Sequence, residues 1–236
     1  PNTLAIFANV TGGSGSSAHG AHNNSTGSVT ITGNVTGGSG GGSAYGVRNN
    51  STGSVTITGS VTGGSGGAYG AYNLAQGILD IYGNVTGGPG AGLNAWGAVW
   101  ANGGSGTIDG NVAATVYGGG VSIYGGASLA AVTIEHNVTT TNYRETDGVG
   151  AGYAGVKAEG KVRVIIQGSV TDGTYGQPAV MGRVYRDVAA LLDWIDIPYI
   201  NPNTLETTYE RLYKPGLIPD GILAKDLRQG VTLYGG

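Results

Sequence analysis

The chain has 236 residues, of which 49 are Gly, and its formal net charge is -3. Charged residues make up only 11% of it, far below the usual share of a soluble domain, so we expect no nucleic-acid partner bound through phosphate neutralisation. The lack of Cys excludes disulfides and thiolate metal sites, and without a run of about 18 apolar residues no membrane insertion is expected.

A short segment recurs along the first three quarters of the chain. GSVTITGNVTGGSG, from Gly27, returns as GSVTITGSVTGGSG from Gly53 and as GILDIYGNVTGGPG from Gly77. Seven copies align on one anchor position, mostly 24 to 27 residues apart: Asn9, Asn34, Ser60, Asn84, Asn111, Asn137 and Ser169. A repeat of this length without a helical pattern indicates a solenoid of stacked windings.

Two apolar columns keep a constant distance from the anchor. Ile lies three residues before the anchor and Val one residue after it in every copy. From the second copy on, the members are Ile31, Ile57, Ile81, Ile108, Ile134 and Ile166, and Val35, Val61, Val85, Val112, Val138 and Val170. The adjoining residues alternate between apolar and polar, as in a β-strand. The sequence therefore predicts an all-β fold, a parallel β-helix of about seven coils of 24–27 residues in residues 1–181, with both columns inside.

A second short segment lies thirteen residues before each Ile. It reads AHGAH from Ala18, AYGVR from Ala44, AYGAY from Ala68 and AWGAV from Ala95. Each period thus holds two or three short strands joined by corners of Gly, Asn and Ser, which tolerate positive φ. At one corner we expect the anchor amides to stack as a hydrogen-bonded ladder. Its members are Asn34, Asn84, Asn111 and Asn137.

The last part of the chain, residues 182–236, has a different composition. Gly becomes rarer there, and charged and large residues return. The segment RVYRDVAALLDWI, from Arg183, has apolar residues at helical spacing and predicts a short amphipathic helix that caps the open end of the solenoid. The following segment, interrupted by four Pro residues, reads as an extended arm with one or two helical turns around residues 204–213. We expect this small mixed cap and arm to lie on a partner and to serve assembly.

The stacked units, such as AYGVRNNSTGSVTITGSVTGG from Ala44, resemble the parallel β-helix repeat proteins of phage virions. That group includes tailspikes and the tailspike-like decoration, cement and fibre proteins of phage heads. The resemblance covers about three quarters of the chain. It implies a homotrimer that packs around a three-fold axis, with capsid or other virion proteins as partners.

Two carboxylates form a candidate catalytic pair. Asp109 and Glu135 stand two residues before the anchor on successive coils, in an outward column. Stacking would hold their carboxyl groups about 5 Å apart, as in a retaining glycoside hydrolase. The rest of the column is not acidic, and the sequence places no cation beside the pair. We therefore favour a solvated polar face and expect no catalytic residue.

Aromatic residues form a candidate glycan-binding surface: Tyr45, Tyr69, Tyr72, Trp96 and Trp100. Flat apolar rings of this kind can hold sugars. Counting back by twos from Arg48, strand alternation sends Tyr45 and Val47 inward. Aromatic stacking inside a corner is therefore favoured over glycan binding.

The histidines are the remaining candidate metal ligands. His19 and His22 are three residues apart, so on a strand they would face opposite ways. The repeat places no convergent ligand beside them or beside His136. We expect no metal and no other cofactor.

Residues 1–134 carry only three charges, Arg48, Asp80 and Asp109. A neutral rod of this kind tends to self-associate, so we expect its walls to be covered in an assembly. With the resemblance, this favours a non-enzymatic structural protein on the exterior of a virion, a capsid decoration or head-fibre protein. One alternative is a tailspike-like protein that binds or depolymerises host polysaccharide. Another is a bacterial surface adhesin or extracellular filament subunit.

Overall fold

The structure is a computed structural model that describes residues 2–40, 43–66, 69–89, 96–115, 119–140, 155–171, 180–182, 184, 194–200, 207–213 and 231–233. The chain divides into two compact units, Pro1–Val184 and Tyr185–Gly236. The sequence predicts the boundary between the solenoid and the C-terminal part to lie between residues 181 and 182.

All regular elements of the described residues are β-strands. In chain order they are β1 (Thr3–Ile6), β2 (Val10–Thr11), β3 (Ala21–Asn23), β4 (Ser28–Ile31), β5 (Val35–Thr36), β6 (Val47–Asn49), β7 (Ser54–Ile57), β8 (Val61–Thr62), β9 (Ala71–Asn73), β10 (Ile78–Ile81), β11 (Val85–Thr86), β12 (Ala98–Ala101), β13 (Gly104–Ile108), β14 (Val112–Ala113), β15 (Val121–Ile134), β16 (Val138–Thr139), β17 (Val156–Ile166), β18 (Val180–Gly182), β19 (Trp194–Ile200), β20 (Thr207–Tyr213) and β21 (Val231–Leu233).

The strands of the first unit stack into three parallel ladders, one for each face of a solenoid. Face 1 contains β1, β4, β7, β10, β13 and the second halves of β15 and β17. Face 2 contains β2, β5, β8, β11, β14 and β16. Face 3 contains β3, β6, β9, β12, the first halves of β15 and β17, and β18. The chain therefore forms an all-β parallel β-solenoid of about six windings, close to the seven predicted, and the predicted fold class is confirmed.

The Ile and Val columns lie inside the solenoid. Ile31 pairs with Ile57 on face 1 and Val35 with Val61 on face 2, and the same register continues from winding to winding. The Ile column from Ile31 to Ile166 and the Val column from Val35 to Val138 are buried, while Val170 at the last winding is half-buried. Fully burying one such side chain contributes about 1.5–3 kcal/mol. The stacked columns thus form one continuous narrow core.

The anchor residues line an exposed corner between faces 1 and 2. The side-chain oxygen of Asn34 accepts a hydrogen bond from the backbone N–H of Ser60 (2.9 Å) in the next winding. The same bond runs from Asn111 to Asn84 (2.8 Å), from Asn137 to Asn111 (3.1 Å) and from Ser169 to Asn137 (2.9 Å). Each amide therefore satisfies a backbone donor of its neighbour at a corner that has no strand ladder.

The second unit is described only by its strands. Strands β19 and β20 pair in antiparallel fashion, and β20 and β21 pair in parallel fashion, in a separate three-stranded sheet. The helical turns expected around residues 204–213 are wrong for Thr207–Tyr213, which is extended because β-branched and aromatic residues favour a strand. The arm, which was expected to lie on a partner, forms a sheet within this unit, in which β20 pairs with both β19 and β21. Most of the predicted capping helix lies outside the described residues, but Trp194 and Ile195, its last residues, are in β19.

Candidate functional site

Four aromatic rings form a continuous cluster on the outside of face 3. The rings of His19 and Tyr45 stack with centroids 5.0 Å apart and planes 2° from parallel. Tyr69 continues this stack at 5.1 Å from Tyr45. Tyr72 leans against both tyrosines at 5.1 and 5.3 Å. The stack follows the solenoid axis because each ring occupies the same position of its winding.

Two further side chains complete this cluster. The Arg48 guanidinium carbon lies 5.8 Å from the ring centroids of Tyr45 and Tyr72, which is within the range of a cation–π contact. The His22 ring contacts the His19 ring edge-on at 5.1 Å. We call these six side chains the aromatic–arginine patch: His19, His22, Tyr45, Arg48, Tyr69 and Tyr72.

Strand register explains the positions of three of the six side chains in the patch. His22, Arg48 and Tyr72 are direct neighbours in β3, β6 and β9, in the middle and therefore outward position of each strand. Their flanking residues point inward, so Val47 and Asn49 are buried while Arg48 is half-buried. The register thus places the three side chains side by side on the outer wall of face 3.

The inward orientation expected for Tyr45 is wrong. Tyr45 is half-buried and shares the outer side with Arg48, whereas the preceding Ala44 is fully buried. Strand β6 begins at Val47, so Tyr45 precedes the strand and Gly46 forms a corner between them. Two-residue alternation holds only within a strand and does not extend across that corner. Stacking along a corner was foreseen correctly, but it occurs on the outer surface.

The expected divergence of His19 and His22 is wrong for the same reason. Strand β3 begins at Ala21, and Gly20 separates His19 from it. A Cβ at Gly20 would lie 2.5 Å from the Thr36 carbonyl oxygen, so this corner packs directly on the next winding. Both imidazoles consequently point to the same side of the solenoid.

The two tryptophans of the candidate glycan-binding surface differ from its tyrosines in exposure. Trp96 follows Tyr69 in the stacking column and is buried, with 8% of its surface exposed. Trp100 is fully buried and donates its indole N–H to the Ser105 carbonyl oxygen at 3.4 Å. Trp100 therefore belongs to the core and offers no ring face to a glycan.

The electrostatics of the patch keep its histidines neutral at neutral pH. Burial, aided by the positive charges of His22 and Arg48, lowers the pKa of His19 to about 4. Burial and Arg48 also lower the pKa of His22. Burial raises the pKa of Tyr72, an effect that Tyr45 increases and Arg48 opposes. At neutral pH, Arg48 is therefore the one charged member of the patch.

Asp109 and Glu135 follow the paired residues Ile108 and Ile134, so they occupy successive windings as expected. The His136 Nδ1 lies 3.6 Å from the Asp109 carboxylate, so an imidazole stands beside one member of the pair. The sequence did not indicate this contact, since His136 stands diagonally across the ladder from Asp109. Both side chains are about half exposed. Among the described residues, no cluster of three His, Asp or Glu side chains could hold a metal ion.

A buried asparagine column escaped the sequence analysis. Asn23, Asn49 and Asn73 are neighbours at the inward end of β3, β6 and β9, and all are buried. Each donates its side-chain amide to the backbone carbonyl of the Gly four residues later, at 3.0 to 3.4 Å. A signal was present, because each Asn precedes the Gly that opens the next repeat by four residues. In the fourth winding Trp100 takes this position.

The fold defines the chain as a parallel β-solenoid repeat protein. Comparison with family models, with curated proteins and with solved structures found no significant match. In the described residues there is no helix with the length and apolar character to cross a bilayer.

Proposed function

We propose that the chain is a non-enzymatic structural protein, a rigid solenoid whose walls pack against other copies. The observation that carries this proposal is the neutrality of the walls, since residues 1–134 contain three charged side chains. A wall of Thr, Ser, Gly and Asn lacks the charge that keeps soluble surfaces apart. Its polar groups and small side chains suit close packing of one rod against another.

Face 1 is the proposed contact surface. Strand β10 leaves Ile78 exposed to 44%, and Tyr82, the residue directly after its end, is exposed to 55%. The neighbours of Ile78 in the ladder are Ser54 and Ser105, which add no charge. Asp80 lies between Ile78 and Tyr82 on the same side of the strand, and its carboxylate accepts a hydrogen bond from the Thr107 N–H at 2.9 Å. Two large apolar side chains exposed this close together are typical of a surface that is buried in an oligomer. We propose a homotrimer with this surface at its centre.

Sedimentation velocity of the full chain tests this assembly. We expect a discrete trimer for the wild type and a monomer for the double variant Ile78→Lys, Tyr82→Lys. Thr62→Lys on face 2 is the matched control and is expected to stay trimeric. A monomeric wild type, or a double variant that remains trimeric, would contradict the proposal, whereas end-to-end filaments would favour a filament subunit.

We further propose that the protein lies on the exterior of a virion, as a decoration or head-fibre protein. It is supported by the repeat, which resembles that of phage β-helix proteins, and by the rigid rod with neutral walls. Capsid or portal genes beside the reading frame, and gold-labelled antibody on the faces or vertices of particles, are the expected results. Genes for secretion or cell-wall attachment in that position would favour the surface adhesin.

A polysaccharide-degrading enzyme is the second candidate, because Asp109 and Glu135 are adjacent in the ladder. Our proposal expects no hydrolysis of capsular polysaccharide by the purified protein. Release of reducing ends by the wild type, and its loss in Asp109→Asn, would establish the enzyme and refute the structural role as the sole function.

A further inference from the structure

The aromatic–arginine patch holds a cation that its surroundings do not neutralise. Arg48 is the first Lys or Arg of the chain, and the next is Arg144. Among the described residues, no carboxylate lies within ion-pair distance of the Arg48 guanidinium. The acidic side chains found there beside a basic one are Asp109, next to His136, and Glu159, next to Lys157. Arg48 is therefore the one Lys, Arg, Asp or Glu in strands β3, β6, β9 and β12 of face 3.

The guanidinium also has few hydrogen-bond partners. Its Nη2 donates to the side-chain oxygen of Asn50 at 3.4 Å, and its Nε is buried without a partner among the described residues. The tyrosine faces hold the cation from below through their π electrons. These contacts leave most N–H donors of the planar Arg48 guanidinium without a hydrogen bond. The geometry of a guanidinium matches the two oxygens of a carboxylate.

The same cluster offers a preordered aromatic surface beside that charge, made largely of ring edges because Tyr45 is stacked between His19 and Tyr69. Tyr45 and Tyr69 are parallel within 6°, and Tyr72 is tilted by 46° from Tyr45. Stacking has already fixed these rings, so a ligand need not order them. A sugar ring presents axial C–H bonds on one face, which pack on aromatic rings, and hydroxyl groups at its edge, which bond to phenols.

We propose that this patch binds a sugar that carries a carboxylate, a uronate unit of an acidic glycan, with its ring on the tyrosines and its carboxylate paired to Arg48. Binding goes beyond the structural role proposed above and does not depend on it. The patch lies on face 3, whereas the proposed subunit contact lies on face 1. An acidic glycan is favoured over a neutral one because a neutral sugar would leave the charge of Arg48 uncompensated.

The histidines give the site a pH dependence. The groups that face the bound carboxylate are His19, His22 and Arg48, together with the phenols of Tyr45, Tyr69 and Tyr72. A carboxylate beside the imidazoles favours their charged forms. Both are neutral at neutral pH, and the pKa of His19 is about 4, so lowering the pH toward 4 adds positive charge to the patch and binding is expected to tighten.

Isothermal titration calorimetry of the full chain with trigalacturonate tests the proposal. Its methyl ester is the matched ligand, because it keeps the rings and removes the charge. We expect the ester, and the variant Arg48→Gln with the acid, to bind at least about tenfold more weakly, the loss of one charge-assisted hydrogen-bond pair. Lys157→Gln is the matched protein control, since Lys157 lies in the same outward column of face 3 and its loss should not change affinity.

Folding of the variants is checked by circular dichroism and thermal unfolding. Val99 and Ser122 occupy the position of Arg48 in later windings, so the ladder accepts a neutral side chain there. Arg48→Ser is therefore a second variant with the same expected loss. Millimolar trigalacturonate, hyaluronate tetrasaccharide and sialyllactose that all fail to bind the wild type would overturn the proposal, as would equal affinity of wild type and Arg48→Gln. Loss of the trimer in Arg48→Gln would instead assign the patch to a protein interface.

Discussion

The buried asparagine column allows a prediction in which one position is the control for another. Asn49 and Asn73 are fully buried and adjacent in the ladder. The Asn49 amide donates to the carbonyl oxygens of Gly53 (3.0 Å) and Ile78 (3.3 Å), and its oxygen accepts from Asn23 (3.2 Å). Asn73 donates to Gly77 at 3.1 Å, while its oxygen has no partner in the part of the chain that the structure describes.

Replacing either residue by Ala removes the same atoms, so the cavity contributions largely cancel in the comparison. At about 1 kcal/mol net for each hydrogen bond, Asn49→Ala loses about 3 kcal/mol of bonding and Asn73→Ala about 1 kcal/mol. Asn73→Ala also removes a buried acceptor that lacks a partner. We therefore expect Asn49→Ala to reduce the free energy of unfolding by at least about 2 kcal/mol more than Asn73→Ala.

Guanidinium unfolding followed by circular dichroism measures this difference. The comparison requires equal denaturant slopes for the two variants, so that the midpoints report stability. A cost at Asn73 equal to or greater than that at Asn49 would refute the reasoning. It would mean that the side-chain bonds of this column do not decide its contribution to stability.

Two further predictions concern the corner and the histidines of face 3. Gly46→Ala should lower the melting temperature strongly, because its Cβ would lie 2.6 Å from the carbonyl oxygens of Gly70 and Thr62. The control variant Gly13→Ala adds a Cβ that meets nothing within 4 Å, so it should melt like the wild type. Equal melting temperatures for the two variants would contradict the corner packing. Because the pKa of His19 is lowered from 6.5 to about 4, the unfolded state binds more protons between these values. Stability should therefore fall as the pH is lowered from 6.5 to 4, and His19→Gln should reduce that slope; an unchanged slope, or a His19 NMR titration midpoint near 6.5, would be the contrary result.

The sequence was sufficient to predict the fold because the repeat keeps each core residue in one column. Ile57 and Val61 recur at fixed distances from the anchor, and in-register stacking then buries both columns. The composition also favoured corners over helices in the repeats. The predicted helical turns failed at Thr207–Tyr213, where β-branched and aromatic residues favour a strand and β19 supplies its partner.

The site was harder to predict because it depends on the corners. Tyr45 and His19 precede strands from which Gly46 and Gly20 separate them, so alternation could not give their direction. The contact of His136 with Asp109 is diagonal between windings, which a column-by-column reading does not reveal. The column of Asn23, Asn49 and Asn73 was readable from its spacing to the following Gly, but only stacking shows that it is buried.

Disulfide trapping tests the stacking of windings most directly, because the chain has no Cys of its own. Thr36 and Thr62 are register partners on face 2, at a strand spacing of about 4.8 Å that a disulfide can span. Thr36 and Thr86 are two windings apart, at about twice that distance. On mild oxidation, the variant with Cys at 36 and 62 should form an intramolecular disulfide rapidly, and the variant with Cys at 36 and 86 should not. Equal trapping of both pairs, or trapping of the second alone, would contradict the solenoid.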